Sequence, residues 1–222
     1  MASRGARKRS NQQYFQGNDV RLSKTLSYLL RHGAEKEGFT FTEGGFLYVD
    51  DVLKWSSLKT YTQEDILRVV ENNDKKRFAV EQDEDTGRVK IRANQGHSVQ
   101  VENLQLSPLI EASQYPVVIH GTYRKAWESI RSQGLSKMNR NHIHFAPGEP
   151  GDSGVISGMR KSCQVLIYLN LQKALEDGLQ FFLSDNNVIL SPGNCDGIIS
   201  PKYFSKVMDR ETGQSLDLHT NS

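Results

Sequence analysis

The hydrophobic period changes near residue 110, and no other feature narrows the architecture as much. Before that point apolar residues recur at helical spacing. Val20, Leu22, Leu26, Leu29 and Leu30 follow an Asn18-Asp19 N-cap and end at Gly33. After Gly44-Gly45 comes a short strand, Phe46 to Val49, and then a helix around Val52 and Trp55. Thr62 with Asp65 forms a capping box ahead of Ile66, Val69 and Val70. Phe78-Ala79-Val80 and Val89-Lys90-Ile91 pair around a turn from Asp83 to Gly87. From Pro116 strands dominate. Val117-Val118-Ile119 ends in His120-Gly121-Thr122, and a helix through Trp127 and Ile130 closes at Gly134. His142 to Phe145 and Val165 to Leu169 are further strands. Phe181-Phe182-Leu183 and Val188-Ile189-Leu190 flank an Asn186-Asn187 hairpin, and Ile198-Ile199 is the last strand. The class is α+β in two lobes, residues 19–110 and 111–208. The stretch 103–115 reads as a linker, 1–18 as a disordered basic tail and 209–222 as a C-terminal tail.

With 222 residues, 36% of them hydrophobic and 24% charged, the chain can bury a core, which excludes wholesale disorder. No apolar run reaches the roughly 18 residues of a membrane span, and the first residues lack a signal-peptide core. Cys163 and Cys195 stand far apart without a CxxC pair. That excludes a disulfide scaffold or zinc ribbon and points to an intracellular, soluble protein of cytoplasm or nucleus. Arg4, Arg7, Lys8 and Arg9 make the tail basic, whereas the remainder has slightly more acids than bases. A polyanion site in the body therefore needs a few arranged residues.

Taken singly, the candidate residues have ordinary readings. Arg31-His32 in a last helical turn suits an anion contact and a proton donor, or a basic pair against the helix dipole. Lys75-Lys76-Arg77 has the same two readings. Arg92 before Asn94-Gln95-Gly96-His97-Ser98 lines a cleft or opens a solvated loop. His120-Gly121-Thr122 suits a ribose near the backbone or a buried, satisfied histidine. Arg140 with His142-Ile143-His144 offers a cation and an HxH pair, but a metal lacks its third ligand. Gly151-Asp152-Ser153-Gly154 imitates a serine-protease motif without its following glycine.

In chain order these segments, with Ser157-Gly158-Met159-Arg160, resemble the tRNA 2′-phosphotransferase family over about residues 19–207. The resemblance implies an N-terminal winged-helix RNA-binding lobe and a C-terminal, ADP-ribosyltransferase-like NAD-binding lobe with a split β-sheet. It implies transfer of an internal RNA 2′-phosphate, left at a tRNA splice junction, to NAD+. The products are 2′-hydroxyl RNA, nicotinamide and ADP-ribose 1″,2″-cyclic phosphate, formed through RNA ADP-ribosylated on its phosphate. Arg31, His32, Arg77 and Arg140 then act on the phosphate. His120, Gly121, Thr122, His144, Arg160 and Val188 fall in the NAD+ site, with the adenine end near Arg160. No metal and no membrane enter, and a monomer is expected. The family hairpin usually reads Asn-Gly where this chain has Asn186-Asn187, a change that left-handed asparagine accommodates.

Two rivals share these residues. One is an ADP-ribosyltransferase acting on terminal phosphates of nucleic acid or on protein. The other is a non-catalytic winged-helix RNA-binding protein, against which cations dispersed over both lobes argue.

Overall fold

The computed structural model describes residues 17–101, 103–152, 155, 159–160 and 162–217. The Arg4 to Arg9 cluster, Ser153-Gly154 and Ser157-Gly158 lie outside the described residues. The chain divides into two compact units, meeting in sequence at Leu104 and Gln105. The architecture is mixed α and β, with small antiparallel sheets.

In the first unit, helix α1 (17–28) runs into a π-helical turn, Leu29–Gly33. Leu22, Leu26, Leu29 and Leu30 are fully buried, but Val20 is 55% exposed. At about 100° per residue, Val20 lies on the face opposite Leu22, so it does not belong to the stripe. Gly33 is not a left-handed cap and instead packs against Tyr28. A Cβ there would come within 2.6 Å of the Tyr28 ring, and Ala34 keeps right-handed helical angles.

Strand β1 (Leu47–Tyr48) is shorter than the Phe46 to Val49 expectation, because Val49 opens α2 (Val49–Val52). Trp55 lies past α2, its Nε1 donating to Glu37 at 3.1 Å. Helix α3 (Gln63–Glu71) begins at the expected capping box. The Asp65 N–H donates to Thr62 Oγ1 at 3.3 Å, and Asp65 Oδ2 accepts from the Thr62 N–H at 3.0 Å. Strands β2 (Phe78–Gln82) and β3 (Val89–Ala93) pair with Val80 opposite Ile91, and β1 joins β3 on its other edge. Ile66, Val69, Phe78 and Ile91 join the α1 leucines in one core.

The second unit starts earlier than the change in period near residue 110. Part of the supposed linker is strand β4 (Leu106–Pro108), paired with β9 (Phe182–Ser184). The order continues with β5 (Ile119–Thr122), α4 (Arg124–Gln133), β6 (Leu135–Ser136), β7 (Ile143–Phe145), β8 (Val165–Leu169) and α5 (Leu171–Glu176). After β9 come β10 (Ile189–Ser191), β11 (Ile198–Ile199) and β12 (Phe204–Asp209). The sheets are β4-β9-β10-β7, β12-β8-β5 and β11-β6. Strand β5 ends in His120-Gly121-Thr122 as expected, but it begins at Ile119 and not at Val117.

Ile198-Ile199 is not the last strand. Strand β12 follows it and pairs along the whole of β8. A bulge between Phe204 and Lys206 breaks the period-two alternation, leaving Ser205 and Lys206 both exposed, so the strand has no clean sequence signature. It runs through Asp209, placed at the start of the tail on sequence. The Asp209 carboxylate is buried and takes Arg124 Nε at 2.7 Å. That bond, with backbone N–H groups of Thr212 and Glu211, holds its pKa well below the usual carboxylate range.

Candidate active site

The first unit gathers three of the four proposed phosphate residues around one segment. Arg31 and His32 occupy the π-helical turn, a local widening that is frequent at functional sites. The turn leaves helix carbonyls without helical partners. Ser98 N–H donates to the Arg31 carbonyl at 2.9 Å, and Ser98 Oγ lies 2.8 Å from His32 Nδ1. Gly96 has φ +89°, and a Cβ there would sit 3.5 Å from Arg31 Nε, so the guanidinium lies against the glycine.

Arg77 lies between α3 and β2 and approaches the same segment from its other end. Its carbonyl accepts the Asn94 N–H at 2.9 Å. Asn73 Oδ1 accepts from Arg77 Nη1 at 3.1 Å and from the Lys75 N–H at 3.2 Å, so one amide shapes the turn and aims the guanidinium. Half-burial lowers the Arg77 pKa, and nearby Asp74 opposes that shift; the group keeps its charge. Asn94 Nδ2 donates to the Lys76 carbonyl at 2.8 Å, satisfying a residue held at φ +40°. Asn94, Gln95 and His97 are buried, which excludes a solvated loop. Arg92 is buried too, its guanidinium 4.9 Å from the Phe46 ring centroid. Residue-by-residue reading passed over Ser98 and Asn73 as contributors. The only signal for Ser98 was its place at the end of the Asn-Gln-Gly-His-Ser run.

In the second unit, β5 and β7 belong to different sheets but meet at one bridge. Ile119 and Ala146 exchange both backbone hydrogen bonds, at 3.0 and 2.8 Å. His120 follows that bridge on β5. Its Nδ1 lies 2.9 Å from the His144 carbonyl, and Phe145 meets the ring edge-on with centroids 5.8 Å apart. Since a carbonyl only accepts, Nδ1 carries the hydrogen and the neutral ring leaves Nε2 as an acceptor. Burial pushes the His120 pKa down, the His144 carbonyl partly opposing and the Arg140 charge adding to the depression. Arg140 is exposed, at the end of a turn in which its N–H donates to the Lys137 carbonyl.

Thr122 is buried, and its carbonyl accepts the Gln164 N–H at 2.8 Å. Gly121 is not open to a ligand in this conformation: a Cβ there would run into Met159 Sδ and lie 3.1 Å from Cys163 Sγ. Arg160 is exposed, 6.0 Å from the Tyr123 ring centroid. Val188 is fully buried after the β9–β10 turn, where Ser184 Oγ bonds both its N–H and its carbonyl at 3.1 Å. Asn187 takes φ +58°, so the turn forms without the glycine. His142 precedes β7 and packs edge-on against Phe182, while His144 lies in the strand. Among the described residues, no group of three His, Cys, Asp or Glu side chains could hold a metal.

Residues 17–193 match the model of the RNA 2′-phosphotransferase, Tpt1 / KptA family. The chain is 50% identical over 205 residues to tRNA 2′-phosphotransferase 1 of Danio rerio, covering 91% of each protein. Identity to tRNA 2′-phosphotransferase 1 of Homo sapiens is 47% over 206 residues, covering 91% of this chain and 81% of that one. The tRNA 2′-phosphotransferase of Saccharomyces cerevisiae is 44% identical over 184 residues, 78% of each. A match of this extent spans both units. The chain is an enzyme of the RNA 2′-phosphotransferase family.

Proposed function

We propose that the protein moves an internal 2′-phosphate from tRNA to NAD+, leaving a 2′-hydroxyl and releasing nicotinamide and ADP-ribose 1″,2″-cyclic phosphate. It acts as a monomer inside the cell. On this reading the first unit is a winged-helix RNA lobe, its helices followed by the β2–β3 ribbon. The second is an ADP-ribosyltransferase-like lobe whose split sheet is bridged at Ile119 and Ala146.

One observation carries the proposal: Arg31, His32 and Arg77 are all tied to the single segment 94–98. A phosphate monoester near neutral pH carries close to two charges on three oxygens. Guanidiniums match those oxygens two at a time, and Arg31 and Arg77 offer two of them on one segment. Charge grows on these oxygens as phosphorus changes partners, so arginines aimed at them favour the transition state over the ground state. His32, in the last turn of the helical segment, is the proton donor to the departing RNA oxygen.

The residues present fit the nicotinamide ribose. His120 offers an Nε2 lone pair to a hydroxyl, with Thr122 on the same strand and Val188 as an apolar support. NAD+ supplies a sugar carbon whose leaving group departs as a neutral heterocycle, so no general acid and no glutamate is needed at that bond. Met159 must move off Gly121 before a ribose can approach that backbone.

The test is turnover of a short RNA bearing one internal 2′-phosphate, with and without NAD+. NAD-dependent release of the cyclic phosphate supports the reading. ADP-ribose retained on the RNA favours the transferase rival, and unchanged RNA favours the binding module. A pH dependence follows from His120. Its pKa lies below the ordinary 6.5, so the neutral acceptor persists on acidification past that value. NAD+ affinity, measured by calorimetry, is therefore expected to stay level from about pH 8 down to pH 6.5 and to fall only below that. A fall beginning above pH 6.5 would remove His120 from the ribose contact.

A further inference from the structure

We propose that Ser98 is a positioning residue for proton transfer: it holds the His32 ring so that Nε2, not Nδ1, carries the proton delivered to RNA. This rests on the phosphotransfer reading above. Ser98 is joined to the end of α1 through both its backbone and its side chain. Its N–H donates to the Arg31 carbonyl at 2.9 Å, and its Oγ stands 2.8 Å from His32 Nδ1 and 3.5 Å from that same carbonyl. At the other end of the segment, the Asn94 N–H is bound to the Arg77 carbonyl at 2.9 Å. Serine is therefore placed by the backbone, not by its bond to the imidazole.

The direction of the His32–Ser98 bond follows from the donors available. A hydroxyl has one hydrogen and two lone pairs. The Arg31 carbonyl can only accept, so it offers the Ser98 hydrogen an acceptor when a lone pair faces Nδ1. In the imidazolium form Nδ1 carries a hydrogen regardless, and Ser98 Oγ must accept it. Only this orientation serves both protonation states without reversing the hydroxyl. In the step itself the ribose 2″-oxygen bonds to phosphorus and gives up its hydrogen to solvent, while the phosphorus–O2′ bond breaks and its electron pair stays on O2′. The Nε2 proton passes to that oxygen, and a neutral ring protonated on Nδ1 remains, still bonded to Ser98. Without Oγ the ring can turn over and exchange its two nitrogens. RNA binding uses the charge and is indifferent to that exchange, whereas directed proton delivery is not.

The experiment has a spectroscopic part and a kinetic part, both on the full chain. Nitrogen-15 shifts of the His32 ring, recorded above its titration, are expected to show the Nδ1–H tautomer in the wild type and a move toward Nε2–H in Ser98→Ala. In single-turnover assays, Ser98→Ala is expected to slow release of 2′-hydroxyl RNA by about 10–100-fold, with nicotinamide release and the RNA KM little changed. Ser98→Thr, which keeps the hydroxyl, restores most of the rate. An Nε2–H tautomer in the wild type overturns the proposal. So does a Ser98→Ala enzyme of normal rate, or one slowed equally in both steps with a raised KM. Wild-type protein that leaves the RNA unchanged while showing the Nδ1–H tautomer sinks the phosphotransfer reading, on data separate from those that test the ring.

Discussion

Arg77→Ala is expected to release dephosphorylated RNA about 10²–10³-fold more slowly than the wild type, the usual loss when one aimed transition-state donor is removed. Arg77 is half-buried, positioned by Asn73 Oδ1 and joined through its carbonyl to Asn94. Only the first of those contacts is lost with the side chain. The thermal midpoint should therefore move little compared with the rate. The loss should also fall unevenly. On the proposed reading nicotinamide release uses the phosphate as a nucleophile, and the phosphate brings its own charge. Expulsion of the RNA oxygen places new charge on the phosphate oxygens, where a guanidinium matters most. RNA still carrying ADP-ribose on its phosphate should accumulate in a rapid-quench time course. Arg77→Lys keeps the charge but not the two-pronged donor, and should recover only part of the rate. Equal slowing of nicotinamide and RNA release would show that Arg77 merely helps RNA to bind.

Much of the architecture was legible because local chemistry decides it. The Thr62–Asp65 box starts α3 where expected, and the run from Phe78 to Ile91 is a hairpin because its apolar residues alternate. Asn187 could be assigned a left-handed turn from its side chain alone, and its φ of +58° agrees. The misses share a different cause. Strand β4 holds only Leu106, Ser107 and Pro108, and it becomes a strand through pairing with β9, 75 residues or so along the chain. The bulge in β12 hides its period, and the burial of Asp209 depends on Arg124, far away in sequence. The site divides similarly. On the proposed reading Arg31, His32, Arg77 and Arg140 form the set, although each alone reads as a routine helix-end or surface cation. Their supports, Ser98 and Asn73, were not legible, since a serine or asparagine becomes a positioning group only when the fold sets it 2.8 or 3.1 Å from its partner. Gly121 is the reverse case, a glycine that promised an open approach and is covered by Met159.

Phe145→Ala is expected to destabilise the second unit by about 3–5 kcal/mol, the range for truncating a buried aromatic side chain. Phe145 is 1% exposed, lies opposite Ile189 in the β7–β10 pairing and packs on Phe181 with ring centroids 6.3 Å apart. For a chain of this size that corresponds to a midpoint lower by roughly 6–20 °C in calorimetry. The ring has a second task that a volume argument omits. It meets His120 edge-on, next to the bridge between the two sheets, and so restrains the imidazole together with the His144 carbonyl. The two tasks separate with Phe145→Leu, which keeps most of the packing and loses the ring edge. This variant should recover most of the stability while NAD+ binding stays weaker than in the wild type. Val20→Ser supplies the contrast. Val20 shares the helical spacing of the buried leucines but is 55% exposed, so its replacement should alter stability by no more than about 0.5 kcal/mol. Were Phe145→Leu to bind NAD+ normally, His120 would be held by its hydrogen bond alone, and the aromatic contact would serve only the core.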